Sequence, residues 1–232
     1  MKILGHELSE KTRVIYKEII GDLNNSVKIL KIDNSNTKDN GYCLKNNDHY
    51  LIYINDKLES NQFETVLIHE LLHCKQIQEG YPGLIPAIYG DYQAKYVASM
   101  INSVLADIDV EKQLTDMGLH SDYIDYERFK DAKEYANENY EDIQQFFSIM
   151  SALYLILCKF TARDVAYYEE IYIVFNNKDK GITDLSNKIS EIIEKYGYKT
   201  PSEYLRSLRR IAIVTGWRDR FKIKYNGIEQ KV

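Results

Sequence analysis

His69-Glu70-Leu71-Leu72-His73 is the stretch of this chain whose residue types and spacing could do chemistry. It has the form H-E-x-x-H. On a helix, positions four apart share a face, so the two imidazoles can turn toward one ion with Glu70 beside them. Two neutral histidine nitrogens suit Zn²⁺. A carboxylate beside an open coordination position can take a proton from bound water. That is the chemistry of a metallopeptidase, and it requires a helix under the motif. The run from Phe63 to Gln76 contains no Pro or Gly, and Val66, Leu67, Leu71 and Leu72 give it an apolar face.

Neighbouring segments must hold this helix in place. Residues 8–23 read as a helix, with Ser9 as a cap and Val14, Ile15, Ile19, Ile20 and Leu23 as its stripe. Two β-like runs follow, from Ser26 to Ile32 and from His49 to Ile54, separated by a polar loop over Asp33 to Gly41. Ser60 or Asn61 is placed to cap the motif helix. Glu64 falls in its first turn, where an acid suits the helix dipole. Gly80 follows as a stop, and the loop Tyr81 to Pro86 holds two of the three prolines. A long helix is expected over 91–117, ending at Gly118. Further helices are expected over 127–138, 140–160, 162–176, 183–196 and 201–213, the last beginning at Pro201. The end, Trp217 to Val232, reads as a short hairpin or a tail. The fold class is therefore α+β: a small N-terminal sheet packed on the H-E-x-x-H helix, then a mostly helical C-terminal half. We divide the chain into a metallopeptidase-like domain over 1–120 and a helical extension or subdomain over 121–232.

A catalytic zinc site has three protein ligands and an open position. His6, His49 and His120 are the remaining histidines, and none extends the motif to H-E-x-x-H-x-x-G-x-x-H. A downstream carboxylate is the better candidate. Asp107 and Glu111 lie four apart and share a helix face, whereas Asp109 points elsewhere. Asp107 stands first as third ligand and Glu111 second. With Asp107 on the metal, Glu111 would orient a histidine ring. His120 and Tyr123, with Tyr126, follow the acidic helix and are candidate oxyanion donors, and Tyr89 and Tyr92 are candidate cleft residues.

The order of strand, turn, H-E-x-x-H helix, loop and acidic helix resembles the zincin metallopeptidases, on the gluzincin side and of small bacterial and phage type. The likeness covers roughly residues 49–115. Where many gluzincins carry E-x-x-A-D, Ala106-Asp107 matches the end and Ser103 stands at the ligand position. A second pattern, A-D-x-x-V-like with the Asp as ligand, is similar to Ala106-Asp107-Ile108-Asp109-Val110. The resemblance implies a zinc-dependent peptidase acting on a peptide or protein, with Glu70 as general base. The alternative is an inactive zincin fold used for binding or regulation.

Composition bounds the rest. The 232 residues carry a net charge of −5, with 28% charged and 44% hydrophobic, as in an ordinary globular protein able to bury a core. No nucleic-acid partner is expected, although Arg206, Arg209, Arg210, Arg218, Arg220, Lys222 and Lys224 gather late. Three scattered cysteines do not form a disulfide framework. No signal-peptide core is read at the start. The apolar run Phe146 to Phe160 is too short for a bilayer and reads as a buried helix. These features together suggest a cytoplasmic protein without membrane partners.

Overall fold

The structure, a computed structural model, describes residues 1–32, 40–120, 122–137 and 144–232. Most of the loop expected over Asp33 to Gly41, and the start of the helix expected over 140–160, lie outside the described residues. The fold is α+β, with eight helices and small sheets among the described residues. The chain forms two compact units. One comprises Met1–Glu79 and Val110–Tyr123, the other Gly80–Asp109 and Ile124–Val232.

The first unit opens with a two-residue hairpin, β1 (Lys2–Ile3) and β2 (His6–Glu7), turned by Leu4 and Gly5 at positive φ. Helix α1 (Glu10–Asp22) follows, capped by Ser9, whose side chain accepts from Thr12 N. Strands β3 (Ser26–Lys31), β4 (Gly41–Asn46) and β5 (His49–Ile54) form a sheet in the order β3-β5-β4. β5 runs parallel to β3 and antiparallel to β4. It occupies the centre because its alternation is the strongest: Tyr50, Ile52 and Ile54 are buried and the residues between them are not. Strand β4 was not expected. Its inward positions are Gly41 and Cys43, and the turn into β5 places Asn47 in the left-handed region.

Helix α2 (Ser60–Gln78) packs on this sheet and on α1. Its cap is Glu59 rather than Ser60 or Asn61, because Gln62 reaches back to accept the Glu59 N–H at 3.2 Å. Glu64 does not serve the α2 dipole alone. Its carboxylate accepts from Ser9 N, from Ser9 Oγ at 2.8 Å and from Thr12 Oγ1, so it closes the N-terminus of α1. Phe63, Leu67, Ile68 and Leu71 of α2 are fully buried.

The second unit begins with β6 (Gly83–Pro86), within the segment expected to be a loop. It pairs with β7 (Phe221–Tyr225), which forms a hairpin with β8 (Ile228–Lys231). The chain end is thus the hairpin of the two forms expected. Helix α3 (Tyr92–Asp116) starts at Asp91, whose carboxylate accepts from Ala94 N, and runs on into the first unit after Asp109. Asn102 fixes β6 to it, accepting from Leu84 N at 2.8 Å and donating to Leu84 O at 3.0 Å. Helices α4 (Asp122–Asn137), α5 (Gln144–Thr161), α6 (Val165–Lys178), α7 (Lys180–Tyr196) and α8 (Pro201–Val214) complete the described chain. α5 is the expected buried helix, with Ile149, Leu153, Leu155 and Ile156 at the centre of the core. Thr200 caps α8 with Pro201 in its first turn, as expected. Among the described residues, no helix is long and apolar enough to cross a membrane.

Candidate metal centre

The site is best built from α2 outward. Nineteen residues without Pro or Gly give about five turns, and the motif occupies the buried middle. His69 and His73 meet there: their Nε2 atoms stand 2.9 Å apart, and the rings cross edge to face at 77°. Each ring turns its other nitrogen toward an acceptor. His73 Nδ1 lies 3.0 Å from Gln76 Oε1, which fits an Nδ1–H donor. His69 Nδ1 lies 3.1 Å from Glu111 Oε1. Where the proton of each ring sits on Nδ1, the two Nε2 lone pairs face one another. Two lone pairs at that separation repel unless a cation or a proton stands between them. Two imidazole nitrogens brought together on one helix face are a donor set that suits zinc.

Glu111 is buried, with 3% of its side chain exposed, and carries a second histidine on its other oxygen: His120 Nδ1 lies 3.6 Å from Oε2. The His120 side chain is 1% exposed. It therefore sits on the back of Glu111, a different position from the oxyanion donor expected of it. Tyr123 stands half-buried in the first turn of α4, and among the described residues no hydrogen bond or ion pair ties it to the histidines. His6 and His49 are engaged elsewhere. His6 stacks on Phe63 and its Nε2 contacts Asp56 O, while His49 contacts Ser26 Oγ. Asp107, the first candidate for third ligand, belongs to the second unit, where its carboxylate lies 3.5 Å from Arg128 Nη2.

Glu70 is buried at 6% exposure on the face of α2 that meets β4. Val66, Glu70 and Cys74 recur every four residues along that face. The strand answers with Gly41 and Cys43, which alternation turns inward. A Cβ on Gly41 would stand 2.6 Å from Val66 Cγ1, 3.1 Å from Glu70 Cγ and 3.2 Å from Glu70 Oε1. Only a glycine lets the strand lie this close to the carboxylate. Cys43 comes next along the helix. Its thiol is pushed far up by a hydrogen bond with Cys74, then by burial and by the nearby Glu70 charge. It is held protonated, a donor beside the carboxylate.

Sequence reasoning named the histidine pair, Glu70 and both acids of α3. It missed Gly41, Cys43 and Gln76. The alternation after Gly41 and the Asn46-Asn47-Asp48 turn were signals for the strand that carries the first two. No family model matches this chain, and no curated protein or solved structure matches it either.

Proposed function

We infer that the chain is a zinc-dependent peptidase of zincin type, working in the cytoplasm on a peptide or protein. One observation carries this: the two motif histidines aim Nε2 at each other while Gln76 and Glu111 occupy their Nδ1 sides. Rings oriented from behind in this way form the inner and outer layers of a metal site. Glu111 is engaged behind His69, which makes it the orienting carboxylate. Asp107, one turn earlier along α3, stays the first candidate for third ligand. Free Cys43, Cys74 and Cys158 are in keeping with a reducing compartment.

Zinc held by these residues would supply a Lewis acid that polarises a carbonyl and activates water. The chain's own residues supply the proton traffic. Glu70 accepts the proton of the attacking water and returns it to the leaving amine. Gly41 and Cys43 fix where that carboxylate stands. Among the described residues β4 pairs with β5 alone, which leaves its other edge free to take an extended peptide as an added strand.

The test is elemental analysis of purified wild type, His69→Ala and Asp107→Ala, followed by peptide cleavage by Glu70→Gln. One zinc per wild-type chain, absent from both alanine variants, is the expected result. Glu70→Gln should keep the zinc and lose cleavage. Zinc lost in His69→Ala alone moves the third ligand to Glu111. No metal in folded wild type after zinc addition would refute the reading and leave the pair as a binding or regulatory relic.

A further inference from the structure

We propose that His120 is a positioning residue of the metal centre, acting through Glu111 to hold the ring of His69. The proposal rests on the zinc reading above and extends it by one residue. Glu111 offers one oxygen to each histidine, 3.1 Å from His69 Nδ1 and 3.6 Å from His120 Nδ1. With 3% of its side chain exposed it receives little help from water. A buried carboxylate is held in place by polar groups beside both of its oxygens. His69 stands beside one oxygen and His120, at ion-pair distance, beside the other.

The chain builds this placement deliberately. Gly118, at φ 61°, ends α3 and lets the backbone reverse. The Leu119 N–H returns to Leu114 O at 2.8 Å, and Gly118 N bonds Thr115 O at 2.9 Å. Lys11 Nζ donates to Gly118 O at 3.1 Å. Thr65 of α2 donates to Leu119 O at 2.9 Å, in a buried bond. The turn is thus pinned from α1 and from the motif helix itself, and it returns His120 to the side of Glu111. A histidine present only for packing would not require its Nδ1 edge to face a buried carboxylate.

The distinguishing test uses metal affinity, with no substrate needed. Zinc affinity is measured by chelator competition, and the site is also loaded with Co²⁺ for its visible spectrum. His120→Leu removes the donor and should weaken zinc binding about 10–100-fold and shift the cobalt bands. His120→Asn places an amide N–H where Nδ1 stood and should restore affinity to within about threefold of wild type. His120→Gln puts its amide at the far nitrogen's position and should not. Melting in the presence of a chelator separates loss of fold from loss of metal. Should the leucine variant fail to fold, Asn against Gln carries the decision. Equal affinities for those two, or a folded His120→Leu with wild-type affinity and spectrum, would overturn the proposal and leave His120 as core. Wild type that binds no zinc would instead overturn the metal reading, and this proposal with it.

Discussion

Gly41→Ala tests whether the closeness of β4 to the motif helix is as constrained as it looks. The new methyl carbon would meet Val66 Cγ1 at 2.6 Å. Ordinary carbon contacts lie at about 3.5–4.0 Å, so the overlap is about 1 Å. Val66 cannot swing away. It is buried at 4% exposure and branched at Cβ, and in a helix it is confined almost to one rotamer. The strand or the helix must move, and overpacking of this kind costs about 1–3 kcal/mol. Movement also displaces Glu70, whose Cγ and Oε1 would lie 3.1 and 3.2 Å from the same carbon. The assay is urea unfolding of wild type, Gly41→Ala, Val66→Ala and the double variant, all with chelator present. Val66→Ala alone should cost about 2 kcal/mol for its lost methyls. The double variant should be more stable than the sum of the singles by about 1–2 kcal/mol, since the alanine removes the atom that clashes. A Gly41→Ala protein within about 0.5 kcal/mol of wild type, or strictly additive singles, would refute the reasoning.

Two further perturbations follow from contacts within single units. Glu64→Ala removes the carboxylate that receives Ser9 and the buried Thr12 hydroxyl, and should destabilise the first unit by about 2 kcal/mol in urea unfolding; Glu64→Gln, which keeps an acceptor oxygen, should lose about half of that. Asp91 starts α3 and is gripped by Arg220, with Nε 2.9 Å from Oδ2 and Nη2 on Oδ1; this hydrogen bonding, followed by the Ala94 N–H, holds its carboxyl below the usual range. A carboxyl lowered in the folded state contributes stability above its unfolded pKa and loses it as pH falls through the folded one. Asp91→Asn should therefore be less stable than wild type by about 1–2 kcal/mol near pH 6, and the gap should close as unfolding is measured at more acid pH. A gap that stays constant to acid pH would exclude the ion pair as its source.

What could be seen in the sequence divides by the range of the interactions. The H-E-x-x-H helix follows from a local period, and the strand through Tyr50, Ile52 and Ile54 and the buried helix through Leu153 and Ile156 from local apolar runs, all of which a reader finds without knowing any partner. The two short outer strands do not. β6 ends in a proline and exists because Leu84 pairs with Ile223, far along the chain. β4 has only Gly41 and Cys43 as inward positions, too small a pair to give an apolar alternation, and Gly41 is disfavoured in strands. Their value lies in what they are placed against, which composition cannot convey. The acids of α3 make the same point from the side of chemistry. Helical spacing puts Asp107 and Glu111 on one face, so spacing alone leaves both open as ligands. On the proposed reading their tasks would differ because His69 presents Nδ1, not Nε2, to Glu111, and a ring's orientation is set by packing across the fold. The reactive groups of such a site are readable because their spacing along one helix is the chemistry. The groups that aim them are not, because each acts through a contact that exists only after distant segments have met.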